Sequence, residues 1–307
     1  MIIKSDIALS DTEFSLMQMH SVMNLLTIIN GDLQILESVL EDDPELVDAV
    51  KATFDLAKAM RAGEHEKFTP EELMRLGAKI RTTLKHTKEA HPELFETEED
   101  ALMLENFESI FTIFAERVEE IRLRLVYPDR WETYPIESFK QEFKDFFTAV
   151  EKNSKGRFRI IYNIADQSES DYFVALSVES KVAESIRIPI LLKDTLRDLL
   201  ANARKYTPPG GSIQAGVTED EYHFRFVVSD TGIGIPPEEL TSVVKFGYRA
   251  TNVRHMKTMG GGYGLTKALW VCNHYGGQMS IESEMGRGTR IEMDIPIPNG
   301  LTQEVIG

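Results

Sequence analysis

Between residues 10 and 41 apolar side chains recur at steps of three and four, with Met19, Leu26, Leu33 and Leu40 alternating with Val22, Ile29 and Leu36. The spacing predicts a long helix with a heptad seam, which favours pairing with another helix. Asp42-Asp-Pro-Glu45 interrupts the pattern, and Leu46, Val50, Phe54, Ala57 and Met60 predict an amphipathic return helix. A hairpin with such a face completes its core most simply by dimerising into a four-helix bundle, so a homodimer is expected. Two further helices are expected between residues 63 and 131. Thr69-Pro-Glu-Glu72 reads as a capping box ahead of Leu73, Leu76, Ile80 and Leu84. Thr97-Glu-Glu-Asp100 caps a run of Phe107, Ile110, Phe111, Phe114, Val118, Ile121 and Leu125 that ends before Pro128. The plain reading of this material is a larger helical core; the functional one is a docking surface for a separate sensor or regulator.

From Trp131 the period changes. Short strands are expected at Glu132 to Pro135, Arg157 to Ile164 and Tyr172 to Val178, with a helix from Glu137 to Asn153 turning Phe139, Phe143, Phe146 and Val150 inward. After a helix at Leu191 to Tyr206, alternation resumes at Gly211 to Thr218, Tyr222 to Ser229, Met279 to Ser283 and Thr289 to Ile295. Strand runs with helices on one face imply a two-layer α/β sandwich. The fold class is therefore α+β, with a helical hairpin or bundle at residues 1–130 and a sandwich domain at residues 131–307.

Composition narrows the function. With 34 basic and 50 acidic residues the net charge is −16, which argues against a nucleic-acid or anionic-membrane surface. Apolar runs fall far short of a bilayer span, and the start of the chain, with Lys4, Asp6 and Asp11, shows no secretory signal, so a cytoplasmic protein without membrane insertion is expected. The single cysteine, Cys272, lies in a helical apolar pattern and reads as a core residue.

The stretch from Leu191 to Gly211 carries the candidate chemistry. Leu192, Leu196, Leu199, Leu200 and Ala203 form one buried stripe, while Asp194, Asp198 and Asn202 fall four apart along one edge. Such a ladder of oxygens suits Mg2+, which takes few protein ligands and completes its octahedron with water and phosphate. Downstream, the strand Val227-Val-Ser-Asp-Thr-Gly-Ile-Gly-Ile-Pro236 places Asp230 before Gly232 and Gly234, which permit close approach to a flat ligand. Gly260-Gly-Gly-Tyr-Gly-Leu265 then opens a second amphipathic helix, an arrangement that offers backbone N–H groups to phosphate.

These pieces, in this order, resemble the ATP-binding domain of sensor histidine kinases. Asn202-Ala-Arg-Lys-Tyr-Thr resembles its N box, Asp230-Thr-Gly-Ile-Gly its G1 box, Phe246 its F box and Gly260-Gly-Gly-Tyr-Gly-Leu265 its G2 box. The resemblance covers about residues 132 to 298 and includes the closing run from Gly276 to Pro296. It implies that Asn202, with Asp198, holds Mg2+, that Lys205 reaches the phosphates of ATP, that Tyr206 lies against the nucleotide, and that Asp230 accepts from the adenine amino group. Gly232 and Gly234 would approach the base, Gly260, Gly262 and Gly264 would hinge a lid ahead of Leu265, and Thr289 would complete the adenine pocket. Arg249 and Arg254, between Gly247 and Met259, are candidates for the γ-phosphate. Asp194 stands where the family has Glu and Asp198 where it has Asn.

His20-Ser-Val-Met-Asn24 is similar to the family's H box, which implies that His20 accepts the γ-phosphoryl group and passes it to an aspartate on a response regulator receiver domain. His20 follows Met19 of the seam on its outward side, with Asn24 one turn on. Ser21 replaces the family's usual acidic neighbour, and Asn24 matches the position that holds water for dephosphorylating a partner. Two further readings therefore stand beside the kinase: a phosphatase-biased, phosphotransfer or scaffold protein with weak autokinase activity, and a serine kinase or ATPase on the same fold.

Overall fold

The computed structural model describes residues 1–3, 7–40, 43–64, 69–96, 98–152, 154, 156–256 and 261–299, with backbone alone at 11, 15, 98–106 and 108. The chain divides into two compact units, Leu9–Tyr127 and Met1–Ala8 together with Pro128–Gly307.

The first unit is helical. Helix α1 (Asp11–Val39) starts at Ser10, which forms a reciprocal capping box with Glu13. Helix α2 (Pro44–Ala62) is capped by Asp43 and ends at Gly63, whose φ of 71° is left-handed. Helix α3 (Pro70–Ala90) starts as expected, with Thr69 Oγ1 accepting from Glu72 N at 3.2 Å. Helix α4 spans Glu98–Val126. Thr97 and Asp42, read as part of a cap and a hairpin loop, lie outside the described residues.

The α1 seam is buried within its own chain. Val22, Leu26, Ile29 and Leu33 have no exposed surface and share one core with Leu46, Ala49 and Met60 of α2, Leu73 and Ile80 of α3, and Phe107, Phe111, Phe114 and Val118 of α4. Phe107 stacks on Phe111 at 5.4 Å, and Phe114 meets Phe111 edge-on at 6.4 Å. The sequence pattern assigned a partner chain to cover this seam; α2, α3 and α4 supply the cover instead. Each of these side chains contributes about 2 kcal/mol by leaving water, so a bare seam would be untenable. Two residues of the expected stripes face outward: Phe54 on α2 and Leu125 on α4 are 53% and 58% exposed.

The second unit is a seven-stranded sheet and a two-stranded one, with helices packed on the larger sheet. In spatial order the strands are β1 (Ile2–Ile3), β8 (Gln278–Glu284), β9 (Gly288–Pro296), β7 (His223–Asp230), β6 (Ser212–Glu219), β4 (Tyr172–Ser180) and β3 (Ile160–Ile161). Pairing is antiparallel except for β3 with β4 and β4 with β6. The parallel β4–β6 pair needs a crossover, and helix α6 (Ile190–Tyr206) provides it. Helix α5 (Ile136–Lys152) lies against β4, and helix α7 (Gly264–His274) against β8 and β9. On α5 the deepest face is Phe139, Phe143 and Phe147, so Phe147 rather than Phe146 points into the core. The two-layer α/β sandwich expected from the strand and helix pattern is observed.

Two strands escaped the sequence pattern. β5 (Ser185–Pro189) pairs with β2 (Trp131–Pro135), and its central Arg187 is buried against Glu219, whose carboxylate also accepts from Arg187 N at 3.0 Å. A charged residue at that place hides the strand from hydropathy. β1 is too short to show a period, yet Ile2 pairs with Ser280 and Ile3 with Met279 along the edge of β8.

Phe111→Ala should lower the unfolding free energy of the helical unit by about 3–5 kcal/mol, read by urea titration of its helical signal. A loss under about 1 kcal/mol would mean that α4 does not carry the seam.

Candidate nucleotide-binding site

Helix α6 organises the site. Its stripe of Leu192, Leu196, Leu199, Leu200 and Ala203 is almost wholly buried against the sheet. Asn202, Lys205 and Tyr206 remain half-buried on its polar side. The final carbonyl groups of α6 lack partners within the helix, and Ile233 N of the glycine loop donates to Tyr206 O at 3.1 Å. That bond docks the loop on the helix end. Gly232 is needed there, because an added Cβ would fall 2.5 Å from Tyr206 O and 2.6 Å from Asp230 Oδ1.

Asp230 ends β7, opposite Thr289 of β9. Its Oδ1 accepts from Gly232 N at 2.8 Å and Thr289 N at 3.2 Å. Burial nevertheless pushes its pKa up to about 6, with these two donors only partly offsetting the loss of water. A carboxylate so placed is stabilised by one more donor, such as an exocyclic amine. Behind it, Ser283 Oγ donates to Gly288 O at 2.9 Å, bonds Thr289 Oγ1 at 2.8 Å and accepts from Ile235 N at 2.8 Å. Asn252 Nδ2 donates to Gly234 O at 2.8 Å. Ser283 and Asn252 were not singled out in the sequence, since neither belongs to a glycine or acidic motif.

The other end is cationic. Lys205 Nζ lies 4.9 Å from the Tyr206 ring centroid, and burial, then the charges of Arg249 and Arg204, push its pKa down to about 8. Arg249 Nη2 donates to Val253 O at 3.0 Å and Met256 O at 2.9 Å, while its buried Nε has no hydrogen-bond partner among the described residues. Arg254 turns back instead, with Nε donating to Arg249 O at 3.1 Å and its guanidinium over Tyr248. Desolvated cations beside an orphaned donor are short of an anion.

The start of α7 closes this end. Gly264 sits so close to α6 that a Cβ there would be 2.8 Å from Asn202 Nδ2. Among the described residues no side chain caps α7, whose first-turn N–H groups are of the kind that bind phosphate, with Leu265 half-buried beside them. Phe246 packs on Tyr263 with ring centroids 4.6 Å apart. Gly262 has a φ of 78°; Gly260 and residues 257–259 lie outside the described residues.

A third feature was not legible in the sequence. Lys267 of α7 is buried and pairs through Nζ with Asp194 Oδ2 and, at 3.1 Å, with Asp198 Oδ2. The two acidic rungs of the α6 ladder thus meet an ammonium group from the neighbouring helix. The available signal was a lysine inside the otherwise apolar run of α7, but it points nowhere without the tertiary pairing. Asp198 and Asn202 lie one turn apart along α6 and are a carboxylate and an amide, donor types that Mg2+ takes alongside phosphate and water; no cluster of three acidic, histidine or cysteine ligands exists among the described residues.

His20 lies in the helical unit. It is half-buried on α1, and Asn24 Nδ2 lies 3.3 Å from its Nε2.

Residues 187–299 match the family of histidine kinase-, DNA gyrase B- and HSP90-like ATPases. Sensor histidine kinase RppB of Synechocystis sp. is 35% identical over 100 residues, covering 33% of this chain and 22% of that protein. The signal transduction histidine-protein kinase/phosphatase MprB of Mycolicibacterium vanbaalenii is 42% identical over 93 residues, covering 30% and 19%. The matched segment thus spans about a fifth of these relatives' length. Among solved structures, the catalytic domain of histidine kinase ThkA aligns over 54% of this chain and 97% of its own, at 16% identity and a TM-score of 0.39. Mycobacterial sensor histidine kinase MprB aligns over 50% and 95%, at 23% identity and a TM-score of 0.36. No helix among the described residues is long and apolar enough to cross a membrane.

The two displaced pKa values set a pH window for nucleotide. An amine ligand needs Asp230 ionised, so affinity should fall as pH drops below about 6, with proton release on binding. A phosphate needs Lys205 charged, so affinity should also fall as pH rises above about 8, with proton uptake. Calorimetry of ATP binding in buffers of different ionisation heat should show both limbs. Asp230→Asn should flatten the acid limb and Lys205→Met the basic one.

Proposed function

We propose that this chain is an ATP-dependent protein histidine kinase that phosphorylates His20 and passes the phosphoryl group to an aspartate of a response regulator receiver domain. The observation that carries the reading is the opposed deficit of the site: Asp230 is short of a donor at one end, and Lys205 with Arg249 is short of an anion at the other. A purine with an exocyclic amine joined to a polyphosphate satisfies both.

In this reading Asp230 and Thr289 hold the adenine edge, Gly232 and Gly234 let the backbone approach the ring, and Tyr206 lies against the nucleotide. Lys205, Arg249 and the first turn of α7 after Gly262 and Gly264 orient the phosphates. Mg2+ would be held by Asn202 and Asp198 and would neutralise charge on the phosphate oxygens. His20 Nε2 attacks the γ-phosphorus in line; the N–P bond forms as the bond to the β,γ-bridging oxygen breaks, and ADP leaves with that electron pair. Asn24 must first release Nε2. The aspartate of the receiver then takes the phosphoryl group from the imidazole.

One observation favours a second reading. With Ser21 in place of a carboxylate and the Asn24 amide beside the nucleophilic nitrogen, dephosphorylation of the receiver, with Asn24 orienting water, could outweigh autophosphorylation. Purified protein incubated with γ-labelled ATP and Mg2+ separates the two. Acid-labile, base-stable label that disappears in His20→Ala and Asn202→Ala supports the kinase. Equal labelling of His20→Ala removes the acceptor assignment, and ATP binding without label favours the phosphatase or phosphotransfer reading.

In this reading the protein acts in the cytoplasm as a homodimer, and a separate sensor or regulator is one candidate source of its signal beside the helical unit itself. Since the α1 seam is covered in its own chain, the dimer uses the outward faces of α1 and α2. There Ile28, Ile35 and Val39 recur at steps of seven and four, and Val47 and Phe54 at seven, all exposed. Light scattering should give twice the chain mass for the wild type and the single-chain mass for Ile35→Glu/Phe54→Glu. A wild-type monomer would remove the dimer from the reading.

A further inference from the structure

Helices α6 and α7 meet rung by rung. Gly264 faces Asn202, and one turn further along α7 Lys267 faces Asp198 and Asp194. Lys267 and Asp194 are 3% and 2% exposed, whereas the Asp198 side chain is 35% exposed and lies one turn from Asn202. An ammonium group taken out of water is tolerated when paired, and Asp194 alone provides that pairing. A second carboxylate is more than charge balance requires. It joins the buried pair to the rung where, on the reading proposed above, metal and phosphate bind.

We infer that Lys267 is a positioning residue for the metal edge of the nucleotide site: it holds Asp198 through Oδ2 and limits the negative charge that α6 presents to magnesium and to phosphate. The triad carries one net negative charge; without Lys267 it would carry two. The inference rests on the nucleotide reading and makes Asp194, the first rung of the acidic ladder on α6, the partner of an internal cation. It also settles what Asp198 does where the related kinases have an amide: its added charge is shared with Lys267, so ATP is not repelled by a bare carboxylate.

The test is the coupling between Mg2+ and ATP, measured as the ratio of ATP dissociation constants without and with Mg2+ by calorimetry. Lys267→Met should weaken metal-free ATP while sparing or strengthening the magnesium complex, so that the ratio rises about tenfold, the size expected for one charge a helical turn away at intermediate dielectric. Because Lys267→Met removes a buried partner of Asp194 and can lower the melting temperature, Lys267→Met/Asp194→Asn serves as the stability control; its triad returns to one net negative charge, but that charge sits on Asp198 with no share taken by Lys267, so the ratio should rise in the same direction by less, about threefold. Lys267→Met/Asp198→Asn should bring the ratio back to the wild-type value or below. A ratio unchanged within twofold in both Lys267→Met and the Asp194 double variant would reduce Lys267 to a structural pin and overturn the inference. Wild-type protein that binds ATP under neither condition would overturn the nucleotide reading, and this inference with it.

Discussion

The binding chemistry of the sheet unit depends on one constraint, that helix α6 be apolar on one side and polar along the opposite edge. The leucine stripe fixes its rotation against β6 and β7, so that Asp198, Asn202, Lys205 and Tyr206 cannot turn inward without exposing five apolar side chains. Everything else is docked on that edge. The glycine loop after β7 completes the C-terminal carbonyls, Gly264 lets α7 come against Asn202, and Lys267 fills the acidic base of the ladder. Altering the stripe would disturb the site by changing the rotation of α6.

Much of this was legible because the chemistry is local. An amphipathic period, acids at four-residue steps and a glycine pair after an aspartate are all visible within twenty residues. Local reading fails where a residue's meaning comes from another element. Lys267 looks misplaced in an apolar run until Asp194 and Asp198 stand opposite it, and Arg187 breaks a strand pattern until Glu219 does the same. The heptad of α1 announced a helical partner correctly but could not say that it belongs to the same chain. Periodicity specifies a face that must be covered and leaves the identity of the cover to the tertiary fold.

The charge distribution adds a further contrast. A chain with net charge −16 gathers Arg204, Lys205 and Arg249 at one end of its site, where burial first, and then the charges of Arg249 and Arg204, push the Lys205 pKa down to about 8. Surrounding acidity screens these cations from casual anions at a distance, while burial strengthens their effect on any phosphate that arrives. On the proposed reading, a ligand with both an amine and a polyphosphate would be selected because Asp230 stands apart from this cluster.

The pairing of β1 with β8 has a consequence for biosynthesis. Ile2 is made before the helical unit, whereas its register partner Ser280 is made only after that unit and most of the sheet. The helical unit is a continuous segment with local contacts and can fold while synthesis continues, whereas this edge of the sheet waits for β8. β1 is therefore made early and placed late, and the edge of β8 is the point at which a chaperone, or a stray strand, competes for the growing protein.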